Sequence, residues 1–224
     1  MDIRGADFFA ELGRMLDSGP ASGSALEHVV ASAASSLGFD MGGVCLVSSP
    51  DRLETVALTH ETVEKVDALQ SEYGEGPAAA VSIDLECLAV GNLSLESRWP
   101  SWTPAVVALG IRSLLAVRLH PPSPARGCLA LYATRPRTAD RDDVAVAHIF
   151  ASHASVAFAS DRREAELWRA IDARHLIGQA QGILMERFDI DATQAFGVLR
   201  RYSNDRNVKL RVIAEWIIEG RALP

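Results

Sequence analysis

The sequence predicts an α+β chain: a mainly antiparallel sheet with helices packed on one side, a long helical connector, and a C-terminal bundle of three helices. Three observations predict it. Short apolar or alternating runs bounded by turn residues recur between residues 43 and 133, which is strand spacing. From Asp140 no Pro or Gly interrupts the chain until Gly178, so that stretch reads as one long helix. Beyond it, three segments each carry a single apolar stripe of helical period, and a bundle buries all three. The boundaries are residues 1–21 for an N-terminal helix, 22–160 for the sheet domain, and 161–224 for the connector end and the bundle.

The elements follow in order. Phe8, Phe9, Leu12, Met15 and Leu16 space as a short amphipathic helix that stops at Gly19-Pro20. Ser24 with Glu27 forms a capping-box signal for a second helix running to Leu37-Gly38. Gly43–Ser48 and Leu53–Thr59 flank Ser49-Pro50-Asp51-Arg52 as strand, turn and strand. A helix over Thr62–Glu72 follows, then strands at Leu85–Val90, Ser113–Leu119 and Cys128–Ala133. Asp140 is the expected N-cap of the long helix. Along it Ala147, Ala151, Ala154, Phe158, Ala165 and Trp168 approximate a coiled-coil seam, broken at Asp161. Its first half packs on the sheet or pairs with a second copy, whereas Asp161–Ala173 reads as a dimerising connector. Of the tail helices, the first carries Leu176, Ile177, Ala180, Ile183, Leu184 and Phe188. The second starts after Asp191 and carries Ala195, Phe196, Leu199 and Tyr202. The third, expected to be capped by Asn207, carries Leu210, Ile213, Ala214 and Ile217.

Composition narrows the function. With 48% hydrophobic and 23% charged residues the chain is globular, not disordered. Cys45, Cys87 and Cys128 lie far apart with no C-x-x-C pair, which suits a reducing, cytoplasmic setting. The acidic MDIRGADFF start is not a secretory signal, and the longest uncharged stretch, Val144–Ser160, is too short and too polar for a membrane span. The six histidines form no metal-ligand grouping, and no nucleophile elbow, P-loop or dinucleotide fingerprint occurs. No catalytic residue, metal site or cofactor is expected. The net charge of −7 is uneven: residues 198–211 hold Arg200, Arg201, Arg206, Lys209 and Arg211 against Asp205 alone. Such a cluster is either a solvated helix face or the footprint of a nucleic acid.

Two resemblances sharpen this. Gly74-Glu-Gly-Pro77, Arg98-Trp-Pro-Ser-Trp102 and Leu109-Gly-Ile-Arg-Ser-Leu-Leu115 make residues 22–160 resemble the GAF domain of actinobacterial regulators. That resemblance implies a six-stranded sheet flanked by helices, a sensor or dimerisation role, and a pocket for a small molecule of unspecified identity. Gly76, Pro77, Trp99 and Trp102 are the candidate pocket residues; the alternative is that the two tryptophans only plug a loop onto the sheet. Ala78, Ala79 and Ala80 stand where related sequences often place a Cys and an Asp. Further on, residues 170–187 (AIDARHLIGQAQGILMER), Ala195–Ser203 and Asn207–Ala214 resemble an ANTAR domain over about residues 164–220. That resemblance implies RNA binding: recognition of paired hairpins in nascent transcripts, near RNA polymerase, so that a terminator does not form. Gln181 replaces a Lys common among relatives.

Physical chemistry assigns roles within that reading. Arg200, Arg201, Lys209 and Arg211 suit phosphate contacts, and Asn204, Asn207 and Gln181 suit base edges. Met185, Arg187 and Ser203 complete the expected RNA-binding set. Tyr202 either stacks on a base or packs in the core, and Gly178 and Gly182 leave room for another helix or an RNA backbone. Two hairpins require two bundles, so a homodimer is expected. The rival functions are a sensor module whose tail only mediates protein association, and a DNA-binding regulator.

Overall fold

The computed structural model describes residues 25–49, 51–83, 85–120 and 126–220. The helix expected within residues 1–21 and the Ser24 cap lie outside them. The chain divides into two compact units, Met1–Asp161 and Arg162–Pro224.

The first unit is built on a five-stranded sheet in the order β2-β1-β5-β4-β3. Its strands are β1 (Met41–Ser49), β2 (Arg52–Leu58), β3 (Cys87–Val90), β4 (Ser113–Leu119) and β5 (Arg126–Ala133). Every pairing is antiparallel, with Cys45 opposite Cys128 and Leu115 opposite Leu131 at its centre. The described residues thus give five strands where the GAF resemblance implied six.

Helices cover both faces of this sheet, which corrects the expectation of one. On one face α1 (Ala25–Ser36) and the start of α5 (Arg141–Phe188) bury Leu26, Val30, Phe150 and Ala154 against Leu115, Val117, Leu129 and Leu131. On the other, α2 (Glu61–Tyr73), α3 (Pro77–Ile83) and α4 (Trp102–Ala108) cover Cys45, Leu114, Ala116, Cys128, Ala130 and Tyr132. The side chains of β4 and β5 alternate strictly between the two layers, so both strands are apolar at nearly every position.

Local signals explain where the elements stop. Gly38 takes the left-handed conformation at φ 63° behind α1, and Phe39 N donates to Ala34 O, closing the helix. Asp140 and Asp143 exchange side-chain bonds with each other's backbone N–H (2.8 and 3.2 Å), so Asp140 caps α5 as expected. Ala147, Ala151, Ala154 and Phe158 of the expected seam are buried in this unit's own core. The first half of that seam therefore packs on the sheet.

The second unit is a three-helix bundle: the C-terminal part of α5, α6 (Ala192–Arg206) and α7 (Leu210–Ile218). Ala180, Leu184, Ala195, Leu199, Ile213, Ala214 and Ile217 form its core. No helix among the described residues is long and apolar enough to cross a membrane.

Candidate nucleic-acid interface

α6 is the centre of the site, and its ends are fixed by its own residues. Asp191 accepts from Gln194 N (2.8 Å) and donates its own N–H to Gln194 Oε1 (3.0 Å), a reciprocal cap. At the other end Asn207 sits in the left-handed region (φ 52°), and its N–H bonds to Asn204 O. Ser203 Oγ donates to Val208 O (2.7 Å) and Val208 N returns a bond to Ser203 O (3.1 Å). Asn207 therefore closes α6, whereas the sequence suggested it opened the next helix. Lys209 occupies that N-cap with no side-chain bond, and its carbonyl accepts from Val212 N (2.9 Å). Asparagine tolerates the left-handed region, so the same residue type suits either end of a helix.

The period of α6 sorts its side chains. Ala195 and Leu199 point into the core, with Val198 and Tyr202 packed beside them. The opposite face, at 100° per residue, carries Gly197, Arg200, Arg201 and Asn204, and the last three are exposed. Tyr202 thus takes the packing role of its two readings. Phe196, which the sequence placed in the apolar stripe, lies outside the core and is 40% exposed.

The remaining candidates divide by what already holds them. Arg201 lies 3.7 Å from Asp205, and Arg211 Nε is bonded to Glu215 at 2.9 Å, both pairs one helical turn apart. Arg200 and Lys209 have no acidic partner among the described residues. Gln181 donates to Ala192 O (3.0 Å), tying α5 to the first turn of α6. Met185 and Arg187 are exposed on α5, and the Arg187 guanidinium lies 6.0 Å from the Phe188 ring centre. A Cβ added at Gly178, Gly182 or Gly197 would meet nothing within 4 Å, so all three leave open space.

In the first unit the structure brings the four candidate pocket residues together and shows what holds them. Gly76, at φ 139°, presses its backbone against the Gln70 side chain, where a Cβ would collide. Pro77 opens α3, and Ala78 N donates to Gln70 Oε1 (2.9 Å). Between them Glu75 accepts from Ser101 N (2.8 Å) and Trp102 N (3.1 Å), and these bonds lower its pKa. Trp102 is fully buried, donates to Val66 O (3.3 Å) and meets Trp99 edge-on at 5.3 Å. The motif therefore joins three helices, and the Glu75 carboxylate and the Trp102 indole N–H are engaged within the protein.

Behind that motif lies a buried acid that the sequence did not single out. Asp67 accepts from Thr55 Oγ1 (2.7 Å) and Gln70 Nε2 (3.0 Å). Burial pushes its pKa up to about 6, and these two bonds pull the other way.

Comparison with known proteins agrees with both units. Residues 165–218 match the model of the ANTAR domain. Over the first unit the fold is similar to two GAF domains of phosphoenolpyruvate-protein phosphotransferases. For that of Coxiella burnetii the identity is 14% and the TM-score 0.55, covering 72% of this chain and 96% of that one. For that of Acinetobacter the values are 15% and 0.56, covering 74% and 99%. A bacteriophytochrome from R. palustris matches at 12% identity and TM-score 0.55, covering 87% of this chain and 46% of that one. At such identities the likeness is one of fold. No curated protein sequence matches the chain. The protein is thus a two-unit α+β chain, a GAF fold followed by an ANTAR domain.

Proposed function

We propose that this chain is a non-enzymatic, cytoplasmic transcription antitermination regulator. It binds paired hairpins in nascent RNA as a homodimer, close to RNA polymerase, with the GAF-like unit as the sensor of a small molecule. The observation that carries the reading is the solvent face of α6. Arg200, Arg201 and Asn204 project from a helix whose core needs none of them, and Lys209 and Arg211 follow directly. Cations there supply phosphate contacts, and the amide of Asn204 offers both a donor and an acceptor to a base edge. Self-association is supported by α5, which exposes Leu167 (62%), Trp168 (58%) and Ile171 (47%) within little more than one helical turn. A surface stripe of that kind marks an interaction site.

The test is hairpin binding by the full chain across a salt series, with circular dichroism as the check on folding. Replacing both Arg200 and Arg201 by Ala lowers the slope of log affinity against log salt by about 1.4 to 1.8, if each meets one phosphate. An unaltered affinity and slope in a folded double variant would move the RNA site off α6. Equal binding to duplex DNA would favour the DNA-binding reading, and no binding to either would leave a tail for protein association.

A further inference from the structure

We infer that Phe196 is a stacking platform for an unpaired RNA base, with Arg200, one turn further along α6, seated on the neighbouring phosphate. The inference rests on the RNA-binding reading above and goes one step further, to the residue that engages an unpaired nucleotide.

Phe196 is anomalous in its own helix. A phenylalanine removes a large apolar area from water when buried, yet this one is 40% exposed and belongs to no core cluster of the bundle. The fold therefore leaves much of its apolar surface unused. Among the described residues no guanidinium lies over its ring. The described rings with a guanidinium over them are Phe39, Trp99 and Phe188, and Phe196 is not among them. Phe188, the other exposed phenylalanine of the bundle, lies beside Arg187.

The surroundings of Phe196 select the partner. Arg200 follows it by four residues and so stands on the same side of α6, and it has no acidic partner among the described residues. Gly197 is adjacent, and a Cβ there would meet nothing within 4 Å, so there is open space beside the ring's helix. Asn204 continues the face one turn beyond Arg200 and is exposed. An aromatic plane, an unpaired cation, a gap and an amide in succession suit a nucleotide. The base stacks, its phosphate meets the guanidinium, and a neighbouring base edge reaches the amide. A protein partner fits less well. The exposed apolar stripe of this unit is on α5, at Leu167, Trp168 and Ile171, whereas Phe196 is followed along its side of α6 by the exposed Arg200 and Asn204.

The experiment uses the full chain and RNA hairpins whose loops are randomised, from which the bound molecules are recovered and sequenced. F196A is expected to weaken binding to a recovered hairpin by about tenfold or more, and F196W to restore it. Because stacking releases no counterions, F196A leaves the salt slope unchanged, whereas R200A reduces it by about 0.7 to 0.9. A 2-aminopurine placed at the stacked loop position loses fluorescence on binding to the wild-type chain and keeps it with F196A. The inference is overturned if F196A binds the hairpin as tightly as the wild type. It is also overturned if F196A changes the association state and not the RNA affinity, which would make Phe196 part of a protein interface. A wild-type chain that enriches no hairpin defeats the RNA reading itself, a different result from a wild type that binds and an F196A variant that binds equally.

Discussion

Asp67→Asn is the perturbation that most directly tests the interior of the GAF-like unit. Asp67 is buried and forms no ion pair among the described residues; its two partners, Thr55 and Gln70, are neutral donors. An ordinary aspartate titrates near 3.8 and is ionised above pH 4, but burial pushes this one up to about 6. Between those values the folded chain holds a proton that the unfolded chain has released. Stability contributed by the protonated form is therefore present below about pH 4, is lost as pH rises to about 6, and stays lost above it. The rise from 3.8 to about 6 corresponds to a loss of about 3 kcal/mol. Asparagine keeps the shape and does not ionise. Its oxygen still accepts from Gln70, and the Thr55 hydroxyl turns to accept from its amide. The assay is urea unfolding at half-unit steps from pH 4 to 7.5, in a background of Trp168→Phe and Trp216→Phe so that fluorescence reports on Trp99 and Trp102. Asp40, Glu75 and Glu96 have lowered pKa values, so they cost stability only towards acid and cancel in the comparison. The variant is expected to match the wild type near pH 4 and to exceed it by up to about 3 kcal/mol at pH 7. Parallel profiles across the window would refute the reasoning. A wild type that gains on the variant as pH rises would show that a cation faces Asp67 after all.

Three further outcomes follow from burial. Leu199→Ala removes a fully buried side chain from the bundle core and should cost about 2 to 5 kcal/mol of the second unit's stability, read by thermal melting. Cys45 and Cys128 are buried with their Sγ atoms 3.5 Å apart, and their mutual contact and burial push the Cys45 thiol up. A neutral alkylating reagent should label the half-buried Cys87 on the native chain and reach the other two only in denaturant, as counted by mass spectrometry. Replacing Trp168 and Ile171 by Glu should yield a monomer by light scattering at micromolar concentration; an unchanged mass would remove α5 from the dimer interface.

Much of the fold was legible because its signals are local. The five strands, the long helix and the three apolar stripes of the tail each follow from period and punctuation within a dozen residues. What was missed depends on partners distant in sequence. The helices α3 and α4 are seven residues each, too short for a periodic signal, and both depend on contacts made through Gln70 and Glu75. The second helical layer had a readable sign. Ser113–Leu119 and Arg126–Ala133 are apolar at nearly every position instead of alternating, the mark of a sheet covered on both faces. Asn207 misled because a capping residue announces a helix end without saying which. The backbone shows that the end it marks is that of α6.

In the candidate site, the sequence groups five cations as one patch, but the structure separates four of them by what each must give up to meet a phosphate. Arg201 and Arg211 already face Asp205 and Glu215, whereas Arg200 and Lys209 face water. Exposed pairs of that kind are worth only about 0 to 1 kcal/mol, so exchanging a carboxylate for a phosphate is feasible. The exchange nonetheless frees an anion beside the RNA, and that anion repels the backbone it now adjoins. The net gain from Arg201 is therefore smaller than from Arg200, although both are exposed and adjacent in sequence. Hairpin binding by the two single variants measures the difference. Arg200→Ala should weaken affinity more than Arg201→Ala at the same salt, and Asp205→Asn should tighten binding in the wild-type background. Equal losses from the two arginines, with no gain from Asp205→Asn, would mean that the Arg201–Asp205 pair opens without cost and that the patch acts as a single field of charge.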